Sequence, residues 1–330
     1  VSAALVAVKK NSICMANRRT VAACTVATSD CPPMTQPRTP TALAALIARH
    51  TPHSGDFPSA VPNLTLHRRS TPTSAIPCIY SLGLGVIAQG GKQVLLQEAV
   101  INYRAGQGML TSIDQPVVAR VTQGSAAEPF LGMMLTLDMH QILQTAAQMQ
   151  PPPPSRASDY RTVVVDELEP GLASALERLV GLLDEPALIP QLAPLIQQEI
   201  IVRLLAGPYS LALQQLLAVG SPTQQIFKTV AWLKQNFTQP LRVDDLAQRA
   251  HMSPSTFRQH FRAIIGVSPL QFHKQLRLQE ARQLMLSQNI DAGRAAGLVG
   301  YESASQFSRE YSRVFGAPPQ RDIRRMREAG

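Results

Sequence analysis

The stretch SPSTFRQHF, Ser253 to Phe261, returns fifty residues later as SASQFSREY, Ser303 to Tyr311. Two serines, a phenylalanine and a closing aromatic recur at the same offsets, and each copy runs on to a glycine (Gly266, Gly316) and a proline (Pro269, Pro319). Phe257, Phe261 and Ile264 stand at i, i+4 and i+7, the spacing of one helical face, and Phe307, Tyr311 and Val314 repeat it. A helix capped by Ser253 and buried on that face leaves Ser255, Arg258, Gln259 and Arg262 pointing outward. The second copy leaves Ser305, Gln306, Ser308 and Arg309.

Each copy is preceded by a shorter helical run. VDDLAQRA leads through the turn HMS into the first copy, and DAGRAAGLV leads through Gly300-Tyr301-Glu302 into the second. Two short helices joined by three residues form a helix-turn-helix, whose second helix enters a DNA major groove. Ala247 and Ala296 are small where the paired helices must approach. Between the copies, SPLQFHKQLRLQEARQLML predicts a capped helix, 17 residues from Leu270 to Leu286, or ~25 Å at ~1.5 Å per residue. Such a strut sets two reading helices into successive major grooves, one ~34 Å turn apart, if the DNA bends somewhat. Upstream, Ser221-Pro222 opens a further helix with Ile226, Val230, Leu233 and Phe237 inward and Trp232 nearby.

Charge agrees with this reading. Residues 222–330 carry 16 Lys and Arg against 8 Asp and Glu, so nearly all of the net +9 sits beside the duplicated motif. A basic module points first to nucleic acid. At 330 residues and 45% hydrophobic content the chain has material for two or three folded units. No apolar run approaches the ~18 residues that would span a bilayer, so no membrane partner is expected. Three of the four cysteines (Cys14, Cys24, Cys31) lie in the first 31 residues and no CxxC exists, which fits a reducing cytoplasm.

From Pro62 to Asp138 short β-type runs alternate with turn residues, the pattern of a small barrel or sandwich. LGVIAQ and KQVLLQ flank Gly90-Gly91, read as a hairpin. The glycines there lack a following helix start and a GK[ST], so they are turn glycines and not a phosphate loop. The histidines are scattered: His50 and His53 in a Pro-rich loop, His67 alone in a strand-like run, His140 beyond the last expected strand. They show no metal-ligand spacing, and neither metal nor cofactor is expected. After Pro151-Pro152-Pro153-Pro154 the chain reads as helical. Leu195, Ile196, Glu199, Ile200, Arg203 and Leu204 define a helix that either packs on the barrel or makes a two-fold contact with a second copy.

The runs LAQRA-HMSPSTFRQHFRAIIGVSPLQFHKQLRLQEARQLM and VGYESASQFSREYSRVFGAPP resemble the double helix-turn-helix module of AraC/XylS-type transcription regulators, over roughly residues 224–325. IPCIYSLGLGVIAQGGKQVLL through EPFLGMMLTLD is similar to the cupin-like N-terminal domain of one branch of that family. The resemblance implies an α+β chain: an N-terminal cupin-like β-barrel with flanking helices, then an all-α double helix-turn-helix domain. It further implies a bacterial cytoplasmic regulator that binds promoter DNA, meets RNA polymerase and responds to a small effector in the barrel. Ser255, Arg258, Gln259, Ser305, Gln306, Ser308 and Arg309 then become base-contact candidates, and Ser253, Arg262, Ser303 and Arg313 backbone candidates. Arg pairs bidentately with guanine and Gln with adenine. Two departures stand out. His251 occupies the usual turn glycine, and Gly293 and Gly297 weaken the short first helix of the second unit.

The expected organisation is residues 1–33 as an upstream extension absent from the cellular protein, with Met34 as the start. Residues 34–150 form the effector barrel, 151–221 a Pro-rich linker and helices for packing or dimerisation, and 222–330 the DNA-binding domain. Cys78, where the chain enters the barrel, is the one named candidate for effector contact. The alternatives are a cupin-type enzyme fused to a DNA-binding module, which the missing metal ligands disfavour, and an effector-independent DNA binder whose barrel is a scaffold. An enzyme is not expected.

Overall fold

The computed structural model describes residues 41–149, 161–218 and 220–329. The expected extension over 1–33, the Met34 start and the four prolines lie outside the described residues. So do Cys14, Cys24 and Cys31.

Helix α1 (Ala42–Arg49) is capped by Thr41, its hydroxyl accepting from the Ala44 amide at 3.2 Å. Ten strands follow among the described residues, all paired antiparallel. They are β1 (Gly55–Pro58), β2 (Leu64–Arg69), β3 (Ile76–Tyr80), β4 (Gly83–Gln89), β5 (Gly91–Leu96), β6 (Ala99–Arg104), β7 (Gln107–Thr111), β8 (Gln115–Gln123), β9 (Phe130–Thr136) and β10 (Val163–Glu167). They form a six-stranded sheet in the order β1-β2-β9-β4-β7-β10 and a four-stranded sheet in the order β3-β8-β5-β6.

Two features differ from the sequence reading. Gly90-Gly91 joins β4 to β5, which lie in different sheets, so it is a corner and not a hairpin. The corner needs Gly90 at φ +86°, and a Cβ there would sit 2.5 Å from the Gln123 carbonyl oxygen. The other difference is β10, which follows the prolines where only helices were expected and adds an edge beside β7.

β4 lies in the middle of the larger sheet and is buried along nearly its whole length. Leu84, Val86 and Ala88 face one core, and Ile87 faces a second core between the sheets with Val94, Tyr103, Met109 and Phe130. Its continuous apolar run reflects those two buried faces. In β8 one side is solvated, so Val117, Ala119 and Val121 alternate with more exposed residues.

The outer face of the larger sheet is covered by α1, α3 (Pro170–Gly181), α4 (Ile189–Ala206) and α5 (Ser210–Leu217), while α2 (Met139–Gln148) packs on α4. The remaining helices are α6 (Pro222–Gln235), α7 (Val243–Arg249), α8 (Pro254–Ile265), α9 (Pro269–Ser287), α10 (Ala292–Leu298), α11 (Ala304–Phe315) and α12 (Pro319–Ala329). They enclose two cores that share α9: Phe257, Phe261, Phe272 and Leu276 on one side, Leu278, Ala281, Phe307 and Tyr311 on the other. No single helix among the described residues is long and apolar enough to cross a membrane.

Candidate nucleic-acid interface

The first helix-turn-helix is α7 and α8. Ala247 is buried at their crossing, and the turn is closed by the Met252 amide donating to the Ala247 carbonyl at 2.9 Å. His251 holds φ +53°, the left-handed conformation that Gly300 takes at the matching place with φ +84°. Imidazole is thus accommodated where the second unit uses glycine. Ser253 caps α8 by accepting from the Thr256 amide at 3.2 Å. Phe257, Phe261 and Ile264 are buried, with Phe261 edge-on to Phe272 of α9 at 5.8 Å between centroids. The opposite side of α8 presents Ser255, Arg258, Gln259 and Arg262, all exposed. Arg258 reaches Asp244 only at 4.0 Å, and the Ser255 hydroxyl lies 3.1 Å from that of Ser253.

The second unit, α10 and α11, repeats the plan. Asp291 caps α10, and Ala296 is buried at the crossing. Ser303 caps α11 by accepting from the Gln306 amide at 3.3 Å. Phe307 and Tyr311 point inward as the spacing requires. Val314 is half-buried, packed against the same core and reaching the barrel as well, while Phe315 is buried beside it. Ser305, Gln306, Arg309 and Arg313 are exposed; Ser303 and Ser308 are half-buried. Gln306 is tethered, its amide donating to Glu310 Oε1 at 3.2 Å.

Between the two helix-turn-helix units, α9 runs 19 residues from its capping box of Ser268 and Gln271, a rod of ~28 Å at ~1.5 Å per residue. Its polar side chains, which the sequence reading left unassigned, fix the second helix-turn-helix unit against the first. The Arg277 guanidinium donates to the carbonyls of Phe237, Thr238, Gln239 and Gly300 at 2.6–3.0 Å. Lys274 pairs with Glu310 at 2.9 Å, and the Tyr301 hydroxyl donates to the same carboxylate at 2.9 Å. Burial alone would raise the Glu310 pKa, but the hydrogen bonds from Lys274, Gln306 and Tyr301 hold it below its usual value. Arg282 is buried against Asp322 of α12. That last helix, not foreseen in the sequence, presents Arg321, Arg324 and Arg325 to solvent.

The barrel docks on surfaces other than the exposed polar faces of α8 and α11. Gln115 donates to the Ile264 and Ile265 carbonyls at 3.3 and 3.1 Å, where α8 ends. Lys234 of α6 pairs with Asp114 at 2.7 Å, and Gln279 of α9 donates to the Pro77 carbonyl at 2.7 Å. Cys78 lies beside this contact, in a small cavity of about 150 Å³ with Gln275 and Gln279. Burial pushes its thiol up to about 11, which works against thiolate chemistry at neutral pH.

Elsewhere, His67 Nδ1 lies 2.6 Å from Asp56, which also accepts from Arg69 at 2.6 Å, and His50 meets Asp184 at 3.0 Å. Among the described residues no group of three or more His, Cys, Asp or Glu side chains converges as a metal site.

Residues 60–211 match a family model described as the AraC-type transcriptional regulator N-terminus, and residues 246–325 match a helix-turn-helix domain model. The HTH-type transcriptional regulator GbdR of Pseudomonas aeruginosa is 30% identical over 118 residues, 36% of this chain and 31% of GbdR. The thermoregulatory protein LcrF of Yersinia pestis is 25% identical over 166 residues, 49% of this chain and 59% of LcrF. The chain thus matches less than two thirds of the length of either relative. Among solved structures, apo ToxT K231A from Vibrio cholerae has a TM-score of 0.60 at 12% identity, covering 81% of this chain and 98% of that one. ToxT with a bound unsaturated fatty acid has a TM-score of 0.55, also at 12% identity, covering 79% and 93%. At that identity the likeness is one of fold.

Proposed function

The chain belongs to the AraC-type transcriptional regulators, and from that premise we propose that it is a sequence-specific promoter-binding regulator. In this reading it acts in the bacterial cytoplasm, alongside RNA polymerase, and responds to a small effector held by the barrel. The observation that carries it is the pair of capped helices, α8 and α11, each with one buried aromatic face and one exposed polar face, joined by a single rod. Arg258 and Gln259 on α8, and Gln306 and Arg309 on α11, are the side chains suited to base edges, with Ser255, Ser305 and Ser308 beside them. Ser253 and Ser303, at the helix N-termini, and Arg262 and Arg313 are the phosphate contacts. No step of this function requires catalysis.

The test is DNA binding by residues 222–330 alone. Their excess of 16 basic over 8 acidic residues should release counterions from the duplex, so affinity should fall at least about tenfold between 50 and 200 mM salt. A folded fragment without DNA affinity at low salt contradicts the proposal.

A two-fold assembly is part of the same reading. Leu188, just before α4, and Leu192, Leu195 and Val202 along it lie exposed at alternating four- and three-residue steps, with Glu199 completing the row. That is the spacing of a coiled-coil seam. Leu195, 61% exposed, is the most solvated. Leu195→Asp should shift the protein from dimer to monomer at micromolar concentration in analytical ultracentrifugation, with its far-UV circular dichroism unchanged. A dimer that persists in this variant assigns the contact elsewhere.

A further inference from the structure

A cavity of about 280 Å³ lies between the two sheets, with Met109 and Met134 in its wall. Thioethers make an adaptable apolar wall. Three polar groups face it without a hydrogen-bond partner among the described residues. Lys92 projects inward from β5, directly opposite Tyr103 on β6, in line with the buried Val94. Its ammonium lies 5.2 Å from the centre of the Tyr80 ring and makes no ion pair among the described residues. The nearby acid, Asp56, already holds His67 and Arg69. The Tyr80 hydroxyl and the Thr111 hydroxyl are both buried and unpaired. Burial drives the Lys92 pKa down, with Arg69 adding to that and Cys78 and Asp56 opposing it.

A half-buried cation with buried, unpaired hydroxyls beside it is costly unless something completes it. A neutral occupant would leave the ammonium uncompensated. A phosphate dianion would exceed the one cation present, and no arginine fork faces it. The smaller cavity beside Cys78 is lined by glutamines and apolar side chains, with no cation. Resting on the effector reading above, we propose that the barrel cavity binds a carboxylate carried on an apolar body. The carboxylate lies on Lys92 Nζ and the Tyr80 hydroxyl, and the body lies along the methionines.

The experiment is isothermal titration of the full chain, without DNA, with octanoate, decanoate and 3-phenylpropanoate, each against the corresponding alcohol. The acids should bind about tenfold or more tighter than the alcohols, as expected for a charge-assisted contact. Lys92→Met should remove that preference while alcohol binding and melting temperature are retained, and Tyr80→Phe should reduce it severalfold. Wild-type alcohols binding as tightly as acids, no binding by any probe, or a Lys92→Met protein that keeps the preference would each overturn the proposal. If Lys92→Met does not fold, the wild-type acid-to-alcohol ratio and Tyr80→Phe decide. DNA affinity is read separately with decanoate present. Acid binding that leaves it unchanged upholds the carboxylate site and overturns the effector reading.

Discussion

Asp322→Ala is expected to destabilise the C-terminal helices by about 3–5 kcal/mol, because it strands a buried cation. Asp322 is 0% exposed and Arg282 is 7% exposed. The carboxylate accepts from Arg282 at 2.8 and 3.1 Å, from the Tyr311 hydroxyl at 2.8 Å and from Arg325 at 3.0 Å. Removing it leaves the Arg282 guanidinium stacked on Phe315, 4.4 Å from the ring centre, without its anion. Tyr311 loses its acceptor in the same step. The loss should appear in the protection of α11 and α12 amides against hydrogen exchange, and in the denaturation midpoint of residues 222–330. The double variant Arg282→Met with Asp322→Leu should recover much of it, since apolar packing often replaces a buried ion pair at little cost. An Asp322→Ala protein within about 1 kcal/mol of wild type would show that the pair is solvated in solution.

The second large effect falls on recognition. Arg258→Ala and Arg309→Ala should each weaken specific binding by about 1–3 kcal/mol, the worth of a bidentate guanine contact. Neither arginine is consumed within the protein. Arg258 has only a 4.0 Å approach to Asp244, and both side chains are exposed. Stability should be unchanged in each variant.

The reading faces were legible in the sequence because one buried side and one solvated side leave a clean period in α8 and α11. The period did not show that Phe315 is buried too, nor that Val314 reaches the barrel as well as its own core. α9 hid more. Cores lie on both of its sides, so its period marks neither Arg277 nor Lys274 as a staple to the turn after α6 or to α11. α12 was missed because its many arginines resemble a solvated tail, while its anchors are Ile323 and the buried Asp322. In the barrel, Gly90-Gly91 signalled a reversal correctly but not that the chain changes sheets, since local sequence carries no record of which strand pairs with which. Lys92, inside KQVLLQ, alternates like any edge lysine. Its inward direction is set by the register of β5 against β6 and β8.

The central claim, two readers held one turn of DNA apart, is tested most directly by base-resolved binding preferences. Wild type, Arg258→Ala and Arg309→Ala would be compared on the same randomised promoter site and on random DNA. The account predicts that each variant relaxes a different short set of base pairs, the two sets centred about 10 base pairs apart, with random-DNA affinity nearly unchanged. Equal losses on specific and random DNA, or both variants relaxing the same base pairs, would contradict it.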